Sequence, residues 1–243
     1  ELYQRLLDLE PEHPGTLHML AALRGQAEHT PENAYIRELF DQYSDSFEQS
    51  LVGTLEYRVP ELLSELLFRI FPMQRTRNRR MYDHCLDLGC GTGLAGKFFR
   101  CACIRLTGLD LSEKMLARAA DKNIYDELLV ADAVRFLEQG EQHYDLLVAA
   151  DLLTYMADLN PLLQAANQCA AAGAFFVFST EHGERENWRI RPTGRFAHNP
   201  DYVTKTAERC GWKIVLAEEA NLRREADAWV RGDLFAVVKK VGC

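Results

Sequence analysis

Asp87-Leu88-Gly89-Cys90-Gly91-Thr92-Gly93 follows directly on the apolar Cys85 and Leu86, and the next apolar run ends in an acid, Asp110. Glycines at this spacing let a backbone turn sharply from a strand into a helix, bring main-chain N–H groups up to a ligand, and leave room for helix against sheet. Asp110 then stands at the tip of the second strand, where its carboxylate can accept both hydroxyls of a ribose. Together these residues demand an α/β sheet with a nucleotide-type cofactor at the carboxyl ends of its strands.

The exact glycine spacing separates two cofactor classes. A dinucleotide fingerprint requires G-x-G-x-x-G, and counting from Gly89 places Leu94 where the third glycine belongs; the glycine comes one residue early, at Gly93. The resulting D-x-G-x-G-x-G resembles the first motif of class I S-adenosylmethionine-dependent methyltransferases. Leu109-Asp110-Leu111-Ser112-Glu113-Lys114-Met115-Leu116 is similar to that family's second-strand end and the helix that follows. The resemblance covers roughly residues 80–240 of the 243. It implies an α/β, Rossmann-like sheet, mostly parallel with helices on both faces, and S-adenosyl-L-methionine as cofactor.

Residue by residue, the resemblance implies that Gly89, Gly91 and Gly93 line the methionine portion of the cofactor, with Cys90 among them for its size. Asp110 takes the ribose hydroxyls, and Leu111 with Met115 lies against the adenine. Asp132, followed by Ala133, accepts from the adenine amino group, and Ala149 closes the methionine side. Asp132 also reads as a helix N-cap, and the two roles are compatible.

Composition bounds the partners. Forty-seven per cent apolar and 26% charged is ordinary globular composition. The net charge of −8 disfavours nucleic acid, whose phosphates need a local basic patch to overcome that repulsion. No apolar run approaches the ~20 residues of a membrane span, and the start lacks a secretory apolar region, so the chain reads as cytoplasmic. Seven cysteines, odd in number and irregular in spacing, read as reduced thiols. Cys101 and Cys103 have no second pair at zinc spacing, and no metal site is expected.

The organisation reads as three parts: residues 1–28, 29–80 and 81–243. In the first, two short helices join at Pro11 to Pro14. If Pro11 closes a 34-residue tetratricopeptide repeat, Tyr3 and Leu6 fall on its second helix, and Leu17, Leu20 and Ala21 open the next. The segment therefore resembles the tail of a repeat array that recruits a protein partner; a half-repeat cannot bury its own face, so either upstream repeats precede it, which the absent starting Met favours, or it packs on the following domain, and a plain helical hairpin is the other reading. In the second part, Tyr35, Phe40, Tyr43 and Phe47 recur at helical spacing after a Thr30-Pro31 cap; the resemblance implies a lid over the cofactor, and the spacing alone fits an aromatic core stripe equally well. A helix is predicted from about Val59 to Phe71, with Arg58 at its start able to reach a carboxylate. Arg75, Arg77, Arg79 and Arg80 form a basic loop, solvated or anion-binding.

The third part predicts strands at Cys85–Gly89, Ile104–Asp110, Leu128–Asp132, Leu146–Ala150, Phe175–Ser179, Ile214–Ala217 and Leu234–Val238, with helices between most. The resemblance makes the last two an antiparallel hairpin. Ala149-Ala150-Asp151-Leu152-Leu153 lacks the Asn/Asp-Pro-Pro-aromatic sequence of amino-group methylases, and no Pro-Cys nucleophile is present; both absences favour a small-molecule acceptor. On the acceptor side, His182 and His198 are candidate general bases, Tyr155 a candidate contact, and Arg189, Arg191 and Arg195 a candidate carboxylate or phosphate clamp. A scaffold that binds the cofactor without turnover, or an NAD-dependent oxidoreductase, are the alternatives.

Overall fold

The computed structural model describes residues 2–26, 31, 33–44, 55–70, 81–140, 142–184, 186–226 and 228–240. Four helices come first: α1 (Leu2–Leu9), α2 (Pro14–Arg24), α3 (Asn33–Tyr43) and α4 (Val59–Ile70). Strands and helices then alternate as β1 (Tyr82–Leu88), α5 (Gly96–Phe99), β2 (Cys103–Asp110), α6 (Glu113–Asp121), β3 (Glu127–Val130), α7 (Ala133–Gln139), β4 (Tyr144–Ala149), α8 (Asn160–Cys169) and β5 (Ala170–His182). A short hairpin, β6 (Trp188–Ile190) and β7 (Phe196–His198), leads to α9 (Pro200–Arg209), β8 (Trp212–Glu225) and β9 (Ala228–Lys239). Phe47, Phe71 and the four arginines of the basic loop lie outside the described residues.

The sheet runs β3-β2-β1-β4-β5-β7-β6, with β9 antiparallel to β5 and β8 outside β9. Strands β1 to β5 are parallel neighbours, and the chain steps one way from β1 to β3 and the other from β4 to β5. That reversal splays the loops after β1 and β4 apart and opens a crevice at their carboxyl ends. All seven predicted strands are present. The final hairpin implied by the resemblance is observed, much longer than its apolar centres.

Helices cover both faces, so the central strands are nearly continuous apolar runs rather than alternating ones. One core packs Phe176, Phe178 and Trp212 against Leu162 and Leu163 of α8. The other packs Leu63, Leu66 and Leu67 of α4 against Leu146 and Val148 of β4. Local chemistry starts the helices that flank the crevice. The Ser112 hydroxyl accepts from the Met115 N–H at 3.1 Å to open α6, and Asp132 accepts from the Arg135 N–H at 2.8 Å to open α7.

Two features differ from the sequence reading. The polar stretch after β5 folds into the β6–β7 hairpin, whose three-residue strands carry too little periodicity to be seen. In α2, the buried residues are Gly15, Thr16, His18 and Ala22, whereas Leu17, a key position of the repeat reading, is 46% exposed. The helix packs on the domain that follows, one of the two outcomes expected for a half-repeat, and does so through small and polar residues: Ala22 packs with Ile190, Phe196 and Ala157, and the His18 imidazole lies 2.8 Å from the Gly194 carbonyl.

Candidate active site

The crevice is a cavity at the carboxyl ends of β1, β2 and β4, roofed by α3. The glycine turn forms its floor. Gly89 and Gly91 line it with backbone φ of +66° and +53°, and a Cβ on Gly89 would come within 3.0 Å of Leu152. Asp110 stands at the edge: one carboxylate oxygen accepts from the Gly91 N–H and the other from the Ser112 N–H, both at 2.9 Å. Each oxygen retains a lone pair for a further donor. Burial pushes the Asp110 carboxyl above its ordinary range, and the three backbone N–H groups around it, Ser112, Gly91 and Leu111, pull the other way.

Leu111, Asp132, Ala133 and Val134 continue the wall. Asp132 uses one oxygen as the α7 cap and accepts from Asn33 of α3 with the other, at 3.1 Å. The Ser112 hydroxyl donates to Asp41, also of α3. Ile36 and Phe40 close the roof, the Phe40 ring meeting Tyr155 edge-on at 5.3 Å. These contacts tie the roof to the sites expected to hold ribose and adenine.

At the other end the wall is formed by Tyr57, Asp151, Tyr155 and Arg195. Asp151 sits just past β4 with φ +64°, a conformation costly for a residue with a Cβ, and accepts from Arg223 at 3.2 Å. Arg223 is fully buried in the middle of an ion-pair cluster with Glu181, Glu225 and Asp151. Arg195 donates to the Tyr155 hydroxyl at 3.2 Å and to Glu225 at 2.8 Å. Burial works against the Arg195 charge, yet Tyr155, Asp151 and Glu181 hold its pKa above the ordinary value. Burial raises both Tyr57 and Tyr155, so each is a neutral phenol that donates or accepts rather than a base.

Of the residues named from sequence, the structure brings Gly89, Cys90, Gly91, Asp110, Leu111, Asp132, Ala133, Tyr155 and Arg195 to the cavity. The others are placed elsewhere for identifiable reasons. Gly93 accommodates Tyr125, whose ring lies 2.9 Å from where its Cβ would be. Met115 is fully buried, off the cavity lining, and Ala149 lies within β4 while Ala150 and Asp151 reach the wall. Tyr43 is 52% exposed at the end of α3, and Arg58 pairs at the surface with Glu61 at 3.7 Å.

Neither histidine faces the cavity. His198 is completely buried, its Nε2 2.9 Å from the Met156 carbonyl and 3.1 Å from that of Ala157, and its other nitrogen has no partner. Burial lowers its pKa to about 4, outweighing the two carbonyl contacts. His182 pairs with Asp233 at 2.9 Å. Arg191 turns instead to Glu181 and the His182 carbonyl. Sequence reasoning missed Asn33, Ile36, Tyr57 and Arg223; Arg223 lies in a charged stretch, between Glu218-Glu219 and Arg224-Glu225, that reads as solvated and carries no sign of its burial.

Among the described residues no group of three or more His, Cys, Asp or Glu is arranged to hold a metal, and no helix is long and apolar enough to cross a membrane.

Residues 86–176 match the protein family described as Methyltransferase domain. The chain is 29% identical over 145 residues to malonyl-[acyl-carrier protein] O-methyltransferase of Hamiltonella defensa, covering 60% of this chain and 51% of that protein. It is 23% identical over 140 residues to the ubiquinone biosynthesis O-methyltransferase of Yersinia pestis, covering 52% and 58%. The chain thus spans about half the length of the curated relatives it matches. Among solved structures, magnesium protoporphyrin IX methyltransferase from Synechocystis with bound SAH superposes with a TM-score of 0.64 at 14% identity, covering 86% of this chain and 99% of that one. The [4+2]-cyclase SpnF superposes at 0.67 with 15% identity, covering 88% and 98%. The architecture is the Rossmann-like methyltransferase fold, with helices added at the N-terminus.

Proposed function

We propose that this chain is an S-adenosylmethionine-dependent methyltransferase acting on a small-molecule acceptor. The observation that carries the reading is Asp110, a carboxylate at the cavity edge with both oxygens braced by backbone N–H groups and one lone pair left on each, beside a glycine turn that exposes main chain to the same cavity. Leu94 fills the wall where a dinucleotide site needs glycine, which argues against NAD.

The residues present fit the cofactor. Asp110 binds the ribose hydroxyls and Asp132 retains acceptor capacity for an adenine amino group. Asp110, Asp132, Asp151 and Asp158 surround the cavity with negative charge, which suits a cationic ligand. When bound, S-adenosylmethionine supplies a methyl group whose bond to sulfur breaks, its electron pair staying on sulfur, as the acceptor's lone pair forms the new bond. The chain's part is alignment and exclusion of water. Ile36 and Phe40 roof the site, and Tyr155, held through its oxygen by Arg195, has its own O–H to donate to an acceptor.

In this reading the N-terminal hairpin recruits a protein partner; the exposed Leu2, Leu6, Leu9 and Leu23 support that role. Free thiols at all six described cysteines support a reducing, cytoplasmic setting.

Calorimetric titration with S-adenosylmethionine, S-adenosylhomocysteine and NAD tests the proposal. The two adenosyl ligands should bind and NAD should not. Asp110→Ala should weaken both by roughly 1.5–3 kcal/mol, the scale for lost hydrogen bonds to a charged group. Unchanged affinity in a folded variant removes the ribose assignment. Tight binding without release of S-adenosylhomocysteine across an acceptor panel favours a non-methylating role.

A further inference from the structure

Four aspartates line the cavity, and among the described residues Arg195 is the one cationic side chain there. The aspartates suit the cofactor's sulfonium and ammonium, and Arg195 can meet a further anion, either the cofactor's own α-carboxylate or a carboxylate on the acceptor. Arg195 is held from two directions, by the Tyr155 hydroxyl on Nε and by Glu225 on Nη1. Its Nη2 has no hydrogen-bond partner among the described residues.

The neighbouring carboxylates are already committed. Glu225 also accepts from Arg223, Asp151 accepts from Arg223, and Glu181 pairs with both Arg223 and Arg191. Three arginines therefore face three carboxylates, and the cluster is balanced before any ligand arrives. What remains is the open edge of a rigid, pre-oriented guanidinium at the cavity wall, beside a neutral phenol.

We infer that the methyl acceptor carries a carboxylate, which docks on the open edge of Arg195 with Tyr155 beside it. The Nη2 edge of the planar fork gives a carboxylate charge-assisted hydrogen bonds that a neutral amide or ester does not match in strength. The carboxylate is a handle: its charge is drawn into the guanidinium, so the methylated atom lies elsewhere on the acceptor. This inference rests on the cofactor reading of the cavity's opposite end.

The test uses the full chain saturated with S-adenosylhomocysteine and titrated with benzoate, succinate, benzamide and succinamide. The carboxylates should bind about tenfold or more tightly than the amides, the scale of one charge-assisted hydrogen bond. Arg195→Gln should erase that preference while leaving the affinity for S-adenosylhomocysteine within about threefold, less than the loss of one hydrogen bond to it. Arg195→Lys, which keeps the charge without the fork, should retain a reduced preference and guards against a variant that merely misfolds. Equal binding of acids and amides, or none, to the loaded wild-type chain overturns the inference and leaves the cofactor reading standing. A tenfold or greater loss of S-adenosylhomocysteine affinity in Arg195→Gln, about 1.4 kcal/mol, overturns it too, by assigning the guanidinium to the cofactor. Failure of S-adenosylhomocysteine to bind the wild type removes the cofactor reading and this inference together.

Discussion

The His198 ring places Nε2 between two backbone carbonyls and leaves no atom exposed to the cavity. With its pKa near 4, it stays neutral where an unfolded histidine, titrating near 6.5, gains a proton. The unfolded chain therefore binds more protons between about pH 6.5 and 4. Stability from the neutral ring is whole above that interval and is lost as pH falls through it. His198→Gln, which can still offer an N–H to the carbonyls, should flatten this acid limb. Urea unfolding at pH 7 and pH 4.5 should show the wild type losing roughly 1–3 kcal/mol more than the variant over that range. Asp87, which burial pushes up to about 7, acts in the opposite direction, losing stability as pH rises from about 4 to 7, but it is present in both proteins and cancels. An acid limb equally steep in the variant assigns the slope to other groups.

At the scale of elements, the turn between β1 and α5 is held by a side chain from beyond α6. Tyr125 slides its ring into a slot made by three glycines: Cβ atoms on Gly93, Gly96 and Gly108 would lie 2.9, 2.6 and 2.8 Å from it. Its hydroxyl donates to the buried Asp87 at 2.6 Å, whose other oxygen has no partner. Tyr125→Phe should keep the packing and strand the carboxyl, destabilising the fold by about 1–3 kcal/mol in thermal or urea unfolding. Gly108→Ala should cost a similar amount, about 1–3 kcal/mol, by overpacking, and should weaken cofactor binding because the displaced ring moves the glycine turn. A Gly108→Ala protein with unchanged melting temperature would mean that the slot has room to spare.

For the whole molecule, the N-terminal hairpin and the acceptor end of the cavity meet at one turn. His18 of α2 touches the Gly194 carbonyl, and Arg195 is the next residue; the His18 ring also stands 5.2 Å from Tyr35 of α3 and 6.2 Å from Phe196 of β7. The α2 helix is thus attached at the place where the acceptor is expected. His18→Ala leaves that carbonyl unpaired and should loosen the attachment by about 1–3 kcal/mol. The loss should be local: amide exchange should speed up in α1, α2 and the β6–β7 turn while the central strands stay protected. Uniform acceleration across the sheet would show that the hairpin is part of the cooperative core.

The glycine turn, Asp110, the Asp132 cap and the seven apolar runs were legible in the amino-acid order because each depends on spacing within one segment. A turn requires glycine at fixed offsets, a cap requires an oxygen three residues before an N–H, and a buried strand requires an unbroken apolar run. That information determined the parallel sheet and the edge of the crevice proposed for the cofactor. The edge proposed for the acceptor is built from residues far apart in sequence, and only the tertiary structure brought them together. Burial turned His198 from a candidate base into a neutral packing residue, and packing of Tyr125 gave Gly93 a neighbour other than a ligand. Three segments meet where Arg195, Tyr155 and Glu225 touch, and an isolated charged residue on a short strand or turn leaves no periodic trace of the partner it will find.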